Sequence, residues 1–402
     1  MSPAPADPAP FRSDEAAMAH AVALAERGRG SVEPNPCVGA VLTTADRRPI
    51  AEGWHERYGG PHAEPNALRA AGERARGATL FVTLEPCSHH GKTPPCADAV
   101  IAAGVKRVVI GTEDPAPHVA GGGIAKLRAA GIDVQVGVLR EECRVLAAPF
   151  FKWLAVRQPW VTAKWAMTLD GKTASRTGDS KWISSRESRA LVHRWRGESG
   201  AVVVGAGTLR ADDPHLAPRP AEFGLPPATR VPLRVVVGSK GELPLDCRLA
   251  TTPEDGPVLV TALEGAAQTP LPDHAERLLL PPAAHDPRQV DVAVLLDELA
   301  ARDVYRVFLE GGGATAGSWL DQGQTDEVRA FVAPKLLGGA AATTPFAGEG
   351  RALIHDAAEF GRLWAEPVGG DLLLTAIGLA GESPGDFWFH AAGRATERSA
   401  NR

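Results

Sequence analysis

The chain has 402 residues, 44% of them apolar, with a formal net charge of -5 and a pI near 6.2. That length allows two domains of about 150 residues each, and the apolar share supports real cores. An acidic chain with 5% aromatics offers no basic field for tracking a nucleic-acid backbone, so small-molecule substrates are the better match.

The opening MSPAPADPAPFRSDEAAMAH is rich in Pro and Ala and lacks the apolar centre of a signal peptide, and no long apolar run follows it anywhere. A cytoplasmic chain without a membrane span is expected, with residues 1–12 as a disordered leader. In a reducing compartment its five cysteines are no disulfide framework. Cys37, Cys143 and Cys247 stand apart and read as small buried hydrophobes.

Ser13 to about Arg27 has helical spacing, with Ser13 or Asp14 as N-cap and Met18, Val22 and Ala25 on one face. CVGAVL (37–42), ATLFVTL (78–84), VKRVVIG (105–111) and IDVQVGV (132–138) read as strands, separated by helical stretches near Glu64–Ala71, Pro95–Ala103 and Ile124–Ala130. Such alternation predicts a sheet flanked by helices. Residues 140–159 predict a helix ending in a connector, with a domain boundary near 150. A second alternation follows. A helix at SSRESRALVHRWRG carries a Ser184/Glu187 capping box; strands are expected at WVTAKWAMTLDGK, AVVVG, LRVVVG, PVLVT, YRVFLEG and DEVRAFVAP, with a helix at VDVAVLLDELAARD. The Pro/Ala-rich pieces 217–232 and 264–288 read as surface loops, and 381–402 as a flexible tail.

PHAEPNAL and TLEPCSHHGKTPPC set His62, Glu64, Cys87 and Cys96 close together in a chain sparing with both His and Cys. A catalytic zinc keeps three protein ligands and an open position, whereas a structural zinc closes all four. His62, Cys87 and Cys96 supply three; a closed clip would recruit His89 or His90. A zinc ion lowers the pKa of its water from about 16 to about 7, and Glu64 is placed to carry the proton. H-A-E followed by P-C after a strand is the signature of the zinc nucleobase deaminases. The departure is the insert SHHGKTPP, eight residues between the cysteines instead of two. His89 and Lys92 within it can offer donors or charge to a phosphate, or belong to a solvated loop. Asn35, between two prolines at a strand entrance, can read a pyrimidine edge or serve as a turn residue.

EPNPCVGAVL, PHAEPNAL, TLEPCSHHGKTPPC, KWAMTLDGKTASRTGDSKWIS and GTLRADDPHL together resemble the bifunctional riboflavin-biosynthesis deaminase/reductase family, over about residues 13–378. The resemblance implies an α/β fold in two parts: a cytidine-deaminase-like three-layer zinc domain over 13–149 and a dihydrofolate-reductase-like NADPH domain over 150–380. It implies zinc and NADPH as cofactors, and hydrolysis of the 2-amino group of 2,5-diamino-6-(5-phosphoribosylamino)pyrimidin-4(3H)-one followed by reduction of the ribosyl chain to ribityl. One position departs: the family often has Asp-Pro-Asn-Pro where this chain has DPAP (114–117), so Ala116 loses a polar substrate contact.

In the second domain no G-x-G-x-x-G follows the first strand, which argues against a Rossmann site. By resemblance, Ala166, Trp182, Thr208, Asp212, Ser239 and the run Gly312, Gly313, Ala314, Thr315, Ala316, Gly317 and Ser318 would line the dinucleotide. Ser239 with Lys240 would meet a 2′-phosphate. Lys164, Ser180, Arg196, Leu216, Arg219 and Glu310 would line the sugar-phosphate substrate, the two arginines suiting a phosphomonoester. Glu310, Asp212 and Lys164 are all candidates for the proton donor. The expected partner is a small phosphoribosylaminopyrimidine, with no nucleic acid and no membrane, and nothing in the sequence opposes a homo-oligomer.

Overall fold

The computed structural model describes residues 9–88, 94–115, 121–267 and 269–378. His89, Lys92, Ala116 and the tail from 381, for which expectations were given above, lie outside the described residues. The chain divides into two units, one ending at Ala155 and the other beginning at Val156.

The first unit runs α1 (Asp14–Ala25), β1 (Gly39–Thr43), β2 (Pro49–Trp54), α2 (Ala63–Ala71), β3 (Thr79–Leu84), α3 (Cys96–Ala102), β4 (Arg107–Thr112), α4 (Gly122–Ala129), β5 (Asp133–Val136) and α5 (Arg140–Val156). Ser13 caps α1, its side chain accepting from Ala16 N at 3.2 Å. The sheet order is β2-β1-β3-β4-β5; β1 is antiparallel to both neighbours and β3, β4 and β5 are parallel.

Side-chain alternation sets the layers. Gly39 pairs with Trp54 and Ala40 with Gly53, so Gly39 and Gly53 face opposite sides. A Cβ on Gly39 would stand 2.0 Å from Ala21 O of α1, and one on Gly53 2.5 Å from Ala67 N of α2. Glycine at these two positions lets one helix backbone settle onto each face of the sheet. Met18 of α1 and Cys143 of α5 share a core with Val41, Phe81 and Val109, which puts α5 on the α1 side and completes three layers. Cys37, Cys143 and Cys247 are all buried, as expected.

The second unit runs β6 (Trp160–Thr168), α6 (Arg186–Glu198), β7 (Ala201–Gly205), α7 (Ala206–Asp212), β8 (Leu233–Val237), α8 (Arg248–Thr251), β9 (Val258–Leu263), β10 (Ala275–Leu280), α9 (Val292–Ala301), β11 (Arg306–Leu309), α10 (Gly313–Asp321), β12 (Glu327–Ala333), β13 (Arg362–Val368) and β14 (Asp371–Ile377). Its sheet order is β10-β9-β8-β7-β11-β6-β12-β14-β13. Parallel pairing runs from β10 through β12, and β14 then pairs antiparallel with both β12 and β13. Both faces of the parallel part are covered, which explains unbroken runs such as AVVVG. Val203 packs with Leu295, Leu299 and Trp319 of α9 and α10, whereas Val202 and Val204 pack with Val192, Leu209 and Leu249 of α6, α7 and α8.

Two expectations need correction. The stretch 264–288 is not all loop, because it contains β10, an edge strand parallel to β9. The cap of α6 is Ser185, whose hydroxyl accepts from Ser188 N at 3.1 Å, in place of the Ser184/Glu187 box. The choice is tertiary: Asp371 Oδ2 accepts from both Ser185 N and Ser188 Oγ at 2.6 Å and so holds the cap one residue on.

Candidate active sites

In the first unit, α2 begins immediately after His62, its N-cap, and Glu64 lies in its first turn. Asn66 anchors that turn by donating to Trp54 O at 2.8 Å. Cys87 follows β3, and Cys96 opens α3, its backbone N–H donating to Cys87 Sγ at 3.2 Å. The fold thereby brings His62, Cys87 and Cys96 together, with their ligand atoms all within 4.8 Å of one another. His62 Nδ1 stands 3.2 Å from Cys96 Sγ and 3.8 Å from Cys87 Sγ.

One nitrogen and two sulfurs around so small a space are a zinc-type donor set, and three protein ligands leave a fourth position open. The residues fit the ion. The two thiols share one hydrogen bond, which pushes Cys87 down to about 4, helped by His62 and opposed by burial. The same bond, with burial, pushes Cys96 up. His62 is raised by its bond to Cys87, against burial. Glu64 is 3% exposed, and burial pushes its carboxyl up to about 7 against the pull of His62. A carboxyl poised there can take and return a proton near neutral pH.

Two residues around this site were missed by the sequence reading. His55, 2% exposed, donates from Nδ1 to Pro61 O at 3.0 Å, and its Nε2 accepts from Asn35 Nδ2 at 3.2 Å. Burial lowers its pKa and keeps it neutral, as the accepting nitrogen requires. Among the described residues, the bond leaves the Asn35 carbonyl oxygen as the end of that amide still to be used. Glu85, in the same TLEPC motif as Cys87, is buried and accepts four backbone bonds, from Asp114 and Gly121 on Oε2 and from Gly123 and Ile124 on Oε1. The signal for His55 lay in WHERYGGPHAE, a second His seven residues before the ligand.

In the second unit a cleft of about 1110 Å³ opens where β6, β7 and β11 end, the usual ligand position in a parallel α/β sheet. It is lined by Lys164, Ala166, Ser180, Trp182, Arg196, Thr208, Asp212, Arg219 and Glu310, and by Gly312, Gly313, Ala314 and Thr315 at the start of α10. A smaller cavity of about 500 Å³ shares Ala314 and Thr315 and adds Ser239, Lys240, Arg210 and Ser318. Ala316 and Gly317 are buried in α10 and Leu216 is buried in the core, so these three line neither cavity.

The start of α10 is tied to α7, Gly312 N donating to Thr208 Oγ1 at 2.9 Å. A Cβ on Gly312 would sit 3.0 Å from that oxygen, whereas the glycine leaves the backbone open for a phosphate at the helix N-terminus. With cationic side chains in the smaller cavity, these residues fit a phosphorylated dinucleotide. At the floor of the cleft, Arg196 Nε and Nη2 donate to Glu310 Oε1 and Oε2 at 2.6 and 3.1 Å, and Lys164 Nζ is 3.9 Å from Oε2. Burial pushes the Glu310 carboxyl up, but Arg196 and Lys164 outweigh it and hold the pKa low. Burial lowers Lys164 in turn.

The family model for the zinc-binding region of cytidine and deoxycytidylate deaminases matches residues 11–112, and the model for the RibD C-terminal domain matches residues 159–359. The riboflavin biosynthesis protein RibD of Aquifex aeolicus is 42% identical over 325 residues, covering 81% of this chain and 88% of that protein. The Escherichia coli protein of the same name is 39% identical over 375 residues, covering 91% and 99%. Among solved structures, the diaminohydroxyphosphoribosylaminopyrimidine deaminase/5-amino-6-(5-phosphoribosylamino)uracil reductase of Thermotoga maritima is 39% identical with a TM-score of 0.74, covering 91% of this chain and 98% of that one. RibD of Acinetobacter baumannii is 37% identical with a TM-score of 0.72, covering 90% and 98%. The chain belongs to the RibD family of riboflavin-biosynthesis enzymes, and it joins a zinc-binding deaminase domain to a reductase domain.

Proposed function

We propose that the first unit hydrolyses the 2-amino group of 2,5-diamino-6-(5-phosphoribosylamino)pyrimidin-4(3H)-one, and that the second reduces the ribosyl chain of the product, 5-amino-6-(5-phosphoribosylamino)uracil, to ribityl. One observation carries the reading: the first unit brings His62, Cys87 and Cys96 together, and the second has a cleft lined by Lys164, Arg196, Arg219, Glu310 and the start of α10.

In the first step a C–O bond forms at C2, the C–N bond to the exocyclic nitrogen breaks, and ammonia leaves. His62, Cys87 and Cys96 would hold zinc, which when bound would supply activation of the attacking water. Glu64 takes the proton from that water and returns it to the departing nitrogen, a shuttle that its raised pKa suits. Asn35, oriented by His55, meets a donor edge of the pyrimidine with its carbonyl oxygen.

In the second step, Thr208 and the start of α10 would hold the dinucleotide of NADPH, and Ser239 and Lys240 its 2′-phosphate; when bound, it would supply the hydride for C1′. Lys164 carries the proton the reaction needs, because Glu310 is held ionised and burial eases proton release from the ammonium. Arg196 and Arg219 hold the substrate phosphate. Both reactions act on small charged metabolites, which suits a cytoplasmic enzyme.

The test is coupled turnover by the purified zinc-loaded chain. Ammonia release from the diamino substrate should proceed without NADPH, and NADPH oxidation should require the deaminated product. Ammonia from cytidine but none from the phosphoribosylamino substrate would overturn the reading.

A further inference from the structure

Lys164, Arg196 and Glu310 leave one buried neighbour unused. His193 lies on α6, three residues before Arg196, and lines the same cleft while only 6% exposed. Its Nδ1 accepts the backbone N–H of Arg219 at 3.1 Å. Its ring stacks on Phe223, 4.8 Å between centroids at 28°. Phe223 ends the short turn Pro220–Phe223 that follows Arg219 directly, so one imidazole holds this segment at both ends. From outside, Arg186 donates to Glu222 O at 2.9 Å, and Arg219 Nη1 meets Glu222 Oε1 at 3.1 Å. An accepting Nδ1 needs a neutral ring, and burial with Arg196 and Arg219 nearby holds its pKa down to about 4.

We infer that His193 is a positioning residue for substrate binding: its Nδ1 fixes the backbone of Arg219, and thereby sets where the Arg219 guanidinium stands in the cleft that Arg196 also lines. The inference rests on the reading of this cleft as the site of a phosphorylated sugar. Two guanidiniums grip one phosphate well only when their spacing is set in advance. A loop residue on an otherwise exposed turn gains that fixity from the buried helix beside it.

The test uses full-length zinc-loaded enzyme and reductase kinetics on the deaminated substrate. His193→Phe keeps a ring over Phe223 and leaves the Arg219 N–H unpaired; His193→Asn offers an amide oxygen near the place of Nδ1. Losing the acceptor should raise the substrate KM about tenfold, with kcat and the NADPH KM unchanged, and His193→Asn should bring the KM back toward the parent. Because His193 acts through Arg219, the double variant His193→Phe/Arg219→Ala should bind no worse than Arg219→Ala alone. Independent, multiplying losses would overturn the inference, as would His193→Asn being as impaired as His193→Phe. Should His193→Phe not fold, His193→Asn decides by itself: a parent-like KM supports the role and a tenfold rise ends it. Arg219→Ala without effect would sink the phosphate reading of the cleft, and the inference with it.

Discussion

The Arg196 guanidinium grips both oxygens of the Glu310 carboxylate, at 2.6 and 3.1 Å, from an element 114 residues away in the chain. Both side chains are nearly buried, 12% and 10% exposed, and Lys164 at 16% stands beside them. One carboxylate therefore serves two cations, and removing it leaves both without a counter-charge in a poorly hydrated floor.

Glu310→Gln keeps the size and removes the charge. Breaking a buried pair of this kind costs about 3 kcal/mol, and reductase activity should fall with it. The pH dependence has a definite sign. The folded-state pKa of Glu310 lies below its ordinary value of 4.5, so its stabilisation is complete above that value and is lost as pH falls through the lower, folded pKa. Thermal melts of parent and variant should differ at neutral pH and converge toward strong acid. A gap that stays constant with pH would mean that the carboxylate charge contributes nothing.

Glu64→Gln should stop ammonia release, with a loss of about 100-fold or more for a missing general acid–base group. Zinc content should be unchanged, since the proposed ligands are His62, Cys87 and Cys96, and the reductase should still turn over supplied deaminated substrate. Metal analysis and both assays on one preparation check this. Retained deamination near the parent level would end the assignment.

What the sequence could reveal followed from how local each signal was. The ligand spacing, the helix opening at His62 and the apolar strands AVVVG and ATLFVTL are all local patterns, and the structure has the three ligands converging and both strands buried. The strands left unread were β2, β10, β13 and β14. β2, β10 and β13 lie at sheet edges, where one side of the ladder is open, so Pro49 and Pro367 are tolerated and charge replaces apolar alternation. The shift of the α6 cap to Ser185 depends on Asp371, 186 residues on, and no window of sequence contains both. Glu85 and His193 escaped for the same reason, since each acts by a bond to a distant backbone; His55 bonds Pro61 O within its own motif, but its other partner, Asn35, stands in a separate one.

Glu85 shows how such a residue can be tested. Its carboxylate accepts from Asp114 N at 3.3 Å, Gly121 N at 3.1 Å, Gly123 N at 2.9 Å and Ile124 N at 3.2 Å, joining the strand end beside Cys87 to the start of α4. Glu85→Ala strands these donors, at a cost of about 2 kcal/mol or more, and should lower deaminase activity and the melting temperature of the first unit while reductase kinetics stay unchanged. Glu85→Gln keeps one oxygen and should fall between. A parent-like melt for Glu85→Ala would show that water replaces the carboxylate without loss.

The last prediction concerns the choice between NADPH and NADH. Arg210 and Lys240 line the smaller cavity beside Ser239, and both are exposed. Neither side chain is joined by hydrogen bond or ion pair to another described residue. Two cationic head groups beside a hydroxyl, near the end of β8 and the helix proposed to meet the dinucleotide, match a 2′-phosphate that NADH lacks. A charge-assisted hydrogen bond contributes about 1.5–3 kcal/mol, or roughly ten- to a hundredfold in kcat/KM. Lys240→Ala and Arg210→Ala should each reduce kcat/KM for NADPH by about that factor and leave the slower reaction with NADH untouched, so that the preference collapses toward unity in the double variant. Because the groups are exposed, the preference should also weaken as ionic strength rises and the charges are screened. Equal losses with both cofactors would place these side chains on a part of the dinucleotide common to the two, and the 2′-phosphate would then have to be met elsewhere.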